Sequence, residues 1–231
     1  MAPAEDSPRT EHRWPAVGAI LVALTLYALL PSSFLLPVRL GVIAVCVLLL
    51  IPVVAINPVR LNRETRWSRR LSVAGTVVLA LANHVALVQL VVQLLQAESD
   101  EDGTLLLAAT QVWLTHVIVY ALVYWEMDRG GPVVRTTVTR ADLPRADIRF
   151  PHDEDADAVV EVARGSSEHS NWTPSFVDYA YTSLTNTMAF SPPDAMALTT
   201  RAKILFGLQA FGGFVILVLV IARAVSLLGG G

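Results

Sequence analysis

Five stretches of this chain are each apolar enough, over enough residues, to cross a bilayer, and nothing else in the sequence constrains the fold as much. They cover residues 14–30, 38–56, 71–97, 104–125 and 204–228. A helix crossing roughly 30 Å of hydrocarbon needs about 20 apolar residues, and backbone at that depth has to satisfy its own hydrogen bonds. Each stretch is too long for a core strand. Hydrophobic residues make up 54% of the chain and charged residues 16%, against roughly 25% charge in ordinary soluble domains. That balance excludes a disordered chain and argues against one soluble globular domain. The sequence therefore predicts an all-α integral membrane protein.

Turn and charge signals arrange the spans. Pro31 and Pro37 bracket a tight turn, so the first two form a hairpin. The acidic stretch 97–103 joins the third and fourth into a second hairpin. Arg60, Arg63, Arg66, Arg69 and Arg70 fall between the second and third spans, whereas Arg39 stands alone between the first two and 97–103 has no basic residue. The positive-inside rule then puts residues 1–13 and 57–70 in the cytoplasm, 98–103 outside and 126–174 back in the cytoplasm. No small-residue cleavage pattern follows the first apolar run, which reads as a retained helix. The expected layout is a cytoplasmic N-terminus (1–13), a four-helix membrane region (14–125), a polar charged segment (126–174) and a last unit (175–231), with multi-pass placement in the cell membrane.

Several function classes drop out. The net charge is −3, which disfavours nucleic acid as a partner. Cys46 is the single cysteine, so neither an internal disulfide nor a Cys-rich metal site is expected. No Gly-rich phosphate loop, His-Glu-x-x-His pair or Gly-x-Ser-x-Gly elbow occurs. No catalytic residue, cofactor or metal is expected. In the 126–174 segment arginines come first (Arg129, Arg135, Arg140, Arg145, Arg149) and acids later (Asp153, Glu154, Asp155, Asp157, Glu161, Glu168). Such runs read as a solvated linker, with an acidic vestibule that concentrates cations as the sharper alternative.

The stretch from Trp172 to Lys203 carries the strongest functional signal. Thr173 and Pro174 start a helix, Phe176, Tyr179 and Ala180 keep helical spacing, and Pro192 and Pro193 end it. A half-helix of about 10–12 residues is too short to span. Placed directly before the last span, it predicts a re-entrant pore-type half-helix. The fold class is thus five transmembrane helices plus that element.

Two resemblances rest on these residues. Trp-Glu-Met-Asp-Arg-Gly-Gly-Pro (125–132), Asp-Tyr-Ala-Tyr-Thr-Ser (178–183), the run 185–194 and Ala-Arg-Ala-Val-Ser-Leu (222–227) resemble a family of uncharacterised bacterial integral membrane proteins, a domain of unknown function. Residues 176–225 also resemble, more remotely, the pore helix, filter and inner helix of tetrameric potassium channels. That likeness implies pore-helix roles for Asp178, Tyr179 and Tyr181. It implies filter-like roles for Thr185, Asn186, Thr187, Met188, Ala189, Phe190 and Ser191, and a hinge at Gly212-Gly213. Ala189 and Ser191 stand where the potassium filter has glycine. Any conduction is therefore expected to discriminate poorly among monovalent cations.

Polar residues inside the spans complete the candidates. His84 and His116 each sit twelve residues from the outer end of their helix. At 1.5 Å per residue both lie about 18 Å down, on antiparallel neighbours. They read as neutral histidines bonding across helices, or as a proton relay. Gln89 and Gln93 on the third span and Gln111 on the fourth read as interhelical glue, with a hydrated path as the alternative, and Gln209 on the last is a further intramembrane polar residue. The expected function is a weakly selective, channel-like or transport-related protein for a monovalent cation, tetrameric if it forms a pore and partnered by the lipid bilayer. The alternative is a non-conducting scaffold that docks a partner through 126–174.

Overall fold

The computed structural model describes residues 11–31, 36–96, 104–188 and 194–229, with side chains to 225. Four of its helices are long and apolar enough to cross a membrane. They are α2 (Leu36–Ile56), α3 (Arg66–Gln96), α4 (Thr104–Met127) and α6 (Thr200–Gly229). Helix α1 (Trp14–Ala28) is apolar but has 15 residues. The acidic turn 97–103, with residues 32–35, 189–193 and the last two glycines, lies outside the described residues.

Caps explain where the helices begin. The third was expected from residue 71 but starts at Arg66, because Thr65 and Ser68 cap it reciprocally. The Ser68 amide donates to Thr65 Oγ1 (3.1 Å) and the Thr65 amide to Ser68 Oγ (3.0 Å). Arg66, Arg69 and Arg70 therefore ride on the first turn of α3 rather than in a loop. The last helix likewise starts at Thr200, four residues early, with the Ala202 amide donating to Thr199 Oγ1. At the end of α1, buried Arg39 donates to the Leu30 and Pro31 carbonyls and Gln111 donates to that of Leu29. The Leu29 carbonyl is one that the helix end leaves without a partner, and those of Leu30 and Pro31 belong to the turn that follows.

Helix α4 is the axis of the bundle. It packs on α1, α3 and α6 and is far more buried than α2, whose main contacts are with α3 and α1. A further helix, α5 (Phe176–Met188), has 13 residues, about 20 Å of axis. Ser175 caps it, its amide and hydroxyl both donating to Asp178 Oδ2 (2.7 and 2.8 Å). Asp178 thus holds the helix start. Helix α5 lies antiparallel to α4, with Phe176 against Trp125 and Ser183 Oγ donating to the Val117 carbonyl (2.7 Å). It lies parallel to α6, since Ser183 meets Gln209 and Thr187 meets Gly213.

The chain enters α5 beside the end of α4 and is back at that end by residue 196. There β2 (Met196–Ala197) pairs antiparallel with β1 (Ile148–Arg149), Ile148 opposite Ala197. The irregular segment was expected over Thr187–Ser191, after a half-helix ending near residue 185, yet the helix continues to Met188. Thr185 and Thr187 bond back to carbonyls one turn earlier, which lets hydroxyl side chains remain helical. Thr185, Asn186, Thr187 and Met188 are therefore helical rather than filter-like, while Ala189, Phe190 and Ser191 fall outside the described residues.

Gly212 and Gly213 mark close packing. A Cβ on Gly213 would lie 2.5 Å from the Thr187 carbonyl oxygen, and one on Gly212 3.0 Å from the His116 ring. Gly207, on the same helix, has nothing within 4 Å. Gly213→Ala should lower stability by about 1–3 kcal/mol through overpacking. Gly207→Ala should raise it by up to about 1 kcal/mol through helix propensity. Thermal or denaturant unfolding in detergent measures both, and equal effects would mean that α5 does not press on α6.

Candidate functional site

A layer of uncharged polar side chains crosses the bundle where α3, α4, α5 and α6 meet. Gln209, fully buried on α6, is its hub. Its Nε2 donates to the Ser183 carbonyl (2.9 Å), Ser183 Oγ and Thr187 Oγ1 (both 2.6 Å). Its Oε1 accepts from Tyr124 Oη (2.5 Å) and Asn186 Nδ2 (2.9 Å). The backbone carbonyl of Gln209 lies 3.1 Å from His116 Nε2. Asn83 Oδ1 lies 2.8 Å from His116 Nδ1, and Asn83 Nδ2 donates to the Val112 carbonyl (3.3 Å).

This arrangement gives His116 a proton problem. Both of its nitrogens face acceptors, and a neutral imidazole donates from one nitrogen only. Either a second ring proton serves the other contact, or the Asn83 amide turns and gives up Val112. His84 has no such conflict. Its Nδ1 is 2.7 Å from the Ala80 carbonyl and its Nε2 is 3.1 Å from Tyr120 Oη, so one ring N–H and the phenol proton satisfy both. The two imidazoles meet edge-on with centroids 6.1 Å apart. They are ring neighbours, and each takes its hydrogen bonds elsewhere. Asn83, which sequence reasoning passed over, is the actual partner of His116.

The second constellation is charged and sits at the end of the bundle that holds 57–65 and 126–175. Asp128, fully buried just past α4, accepts from four donors. Its Oδ2 takes Arg129 Nη1 (2.7 Å) and Tyr179 Oη (2.6 Å), and its Oδ1 takes the amides of Asp147 (2.7 Å) and Ile148 (3.2 Å). Arg129 also reaches Asp153 (2.6 Å). Arg135, 1% exposed, donates to the carbonyls of Pro174 and Trp125 and to Glu11, and stacks over Tyr179. Arg201 pairs with Asp147. The 126–174 segment was expected as a solvated linker; Asp128, Arg129, Arg135 and Asp147 are instead buried, because their partners are brought together only by the fold, while Arg140, Arg145, Asp157, Glu161, Arg164 and Glu168 are exposed. The turn that does this needs unusual backbone: Arg129, Gly130 and Gly131 take φ of 50°, 78° and 99°. Any side chain at Gly131 would run into the Arg69 guanidinium.

Beside this network a cleft of about 40 Å³ separates α2 from α4. A second hollow of about 30 Å³, nearer the loops, shares Arg13, Val53, Ser72, Trp125 and Glu126 with it. Glu126 Oε2 accepts from Arg69 Nη1 (2.7 Å) and its Oε1 from Ser72 Oγ. Glu64, in the loop above, pairs with Arg69 (3.5 Å), and burial pushes its carboxyl above the ordinary carboxylate range while Arg69 opposes that. None of these cleft residues stood out in the sequence, except that Glu126 and Arg69 are charges at the very ends of apolar runs.

The remaining candidates are dispersed. Tyr181 and Met188 are exposed on the outer face of α5, and Gln89 and Gln93 are half-buried on α3. Gln111 is buried and donates to the α1 end, with its Oε1 unbonded. Among the described residues no group of three or more His, Cys, Asp or Glu is placed to hold a metal ion.

Asp128→Asn should destabilise the fold by about 3 kcal/mol, because it leaves Arg129 partly unpaired in a buried site. Tyr179→Phe removes one hydrogen bond and should cost about 1 kcal/mol. Unfolding curves that rank the two the other way would refute the central place given to Asp128. No protein-family model, curated protein or solved structure matches the chain.

Proposed function

We propose that this is a transport-related integral membrane protein that moves a monovalent cation across the polar layer around His116 and Gln209. In this reading the chain crosses the membrane five times and α5 is a re-entrant half-helix before the last crossing. The observation that carries it is the concentration of polar groups from four helices at one level of an otherwise apolar bundle. Polar and ionisable groups at membrane depth are costly, and they mark ion or proton pathways more often than they serve as anchors. His116, held between two acceptors, is suited to gaining and losing a proton, the smallest monovalent cation. The hydroxyl and amide oxygens of Ser183, Thr187 and Gln209 beside it are neutral groups that can also accept a cation.

A pore with one pore-type half-helix per chain would need about four chains around an axis. The apolar stripe of Val177, Tyr181, Leu184 and Met188 on α5 supplies a face on which copies could meet. The same reading keeps the bacterial family resemblance, since two of its motifs touch through Asp128 and Tyr179. It also keeps the N-terminus and the 57–65 and 126–175 segments cytoplasmic. Docking of a partner through 126–174 is less favoured, because Arg129 and Arg135 of that segment are engaged by the protein itself.

Proteoliposomes with a pH-sensitive and a potassium-sensitive dye test the function. Wild type should pass protons or monovalent cations, and Gln209→Leu should abolish the flux while the protein stays folded. Folded wild type that passes neither at any voltage or pH would leave the scaffold reading. For orientation, Val159→Cys in a Cys46→Ala background should resist an impermeant thiol reagent in intact cells and react once they are opened. Labelling from outside would invert the assignment.

A further inference from the structure

The cleft between α2 and α4 has the chemistry of a site for an anionic amphiphile. We propose that it binds a long-chain carboxylate, the head on Arg13 and the chain between the helices. This does not rest on the cation reading, which concerns a different layer of the bundle.

Arg13 supplies the head-group contact. It is 5% exposed and lines both hollows. Its Nη1 donates to the Val53 and Asn57 carbonyls, which fixes the guanidinium at the last turn of α2. The Nε–Nη2 edge makes no hydrogen bond among the described residues, and neither atom is sealed from the cleft. That edge is the fork that takes a carboxylate bidentately. Arg69 is different, being claimed by Glu126 and Glu64. The walls near the loops carry three guanidiniums, Arg13, Arg63 and Arg69, against two carboxylates, Glu64 and Glu126. One negative charge placed at Arg13 completes the balance.

Deeper in, the lining turns apolar through Ile20, Leu49, Leu50, Leu71 and Leu79. The enclosed space is narrow, about 40 Å³, so part of a single acyl chain is enclosed and the rest lies along α2 toward the bilayer, which leaves no room for the two chains of a phospholipid. The peripheral position of α2 gives a chain a lateral route from the bilayer.

Bromine quenching of tryptophan tests the site, since Trp125 lines it. The purified full chain in neutral detergent is titrated with a dibrominated long-chain carboxylate, the brominated alcohol of equal length and a brominated anionic phospholipid. The carboxylate should quench saturably and the other two should not. Arg13→Gln should weaken binding at least about tenfold, the scale of one charge-assisted contact. Gly75→Leu gives a second test that does not touch the Arg13 bonds. The Cβ position at Gly75 meets only Leu49, at 3.9 Å, so the new side chain fills the cleft without backbone strain and should abolish saturable quenching. If Arg13→Gln fails to fold, Gly75→Leu decides alone. Equal quenching by the alcohol, preference for the phospholipid, or unchanged binding in Gly75→Leu would each overturn the proposal.

Discussion

The carboxylate of Asp128 is the interaction on which the rest of the structure depends. An acidic group with no exposed surface is tolerable only if its acceptor sites are filled, and here four donors from three places fill them. Arg129 follows it in sequence, Tyr179 comes from α5, and the amides of Asp147 and Ile148 come from the strap that ends in β1. Each donor fixes something beyond itself. Tyr179 sets the depth of α5. Ile148 pairs with Ala197, and Asp147 holds Thr199 and Arg201 at the start of α6. Both ends of the segment between β1 and α6 are thereby tied to the last residues of α4.

That dependence explains which parts of the fold the sequence revealed. The apolar spans were legible because hydropathy over about 20 residues is a local property. The start of α5 was legible for the same reason, since Thr173 and Pro174 form a local signal, although the capping pair Ser175 and Asp178 was not read from it. The depth of His84 and His116 followed from counting residues, and the two rings do meet. The partners of those rings were not legible. Asn83 and Gln209 reach His116 from helices 33 and 93 residues away in the chain, and nothing local encodes that. The charged strap failed for a related reason. A run of arginines is solvated unless tertiary structure brings acceptors to it, and Glu11 meets Arg135 across 124 residues. The one local hint was Gly130-Gly131, a pair suited to the positive φ that both adopt.

The polar layer and the cleft differ in how completely their groups are bonded, and this separates what they can do. Around Gln209 every side-chain donor and acceptor has a protein partner. Such a network is rigid, and it changes state only through a proton or an amide rotation, both of which centre on His116 and Asn83. A cation larger than a proton would have to take the place of several of these bonds as it passed.

The cleft is the opposite case. It holds a guanidinium with one edge unbonded, a carboxylate already neutralised by Arg69 and Ser72, and apolar walls. A ligand that binds there displaces no protein hydrogen bond. It gains a charge-assisted contact at one end and apolar burial along its length. Helix α4 connects the two regions, with Glu126 facing the cleft near its end and His116 facing the polar layer near its middle. A ligand that spread α2 from α4 would bear on the same helix that positions His116. Reaching that imidazole, however, would require a shift of α4 relative to α6, and Gly212 and Gly213 hold α6 close to the His116 ring and to Thr187. Coupling between the two sites therefore depends on whether that small-residue contact can slide.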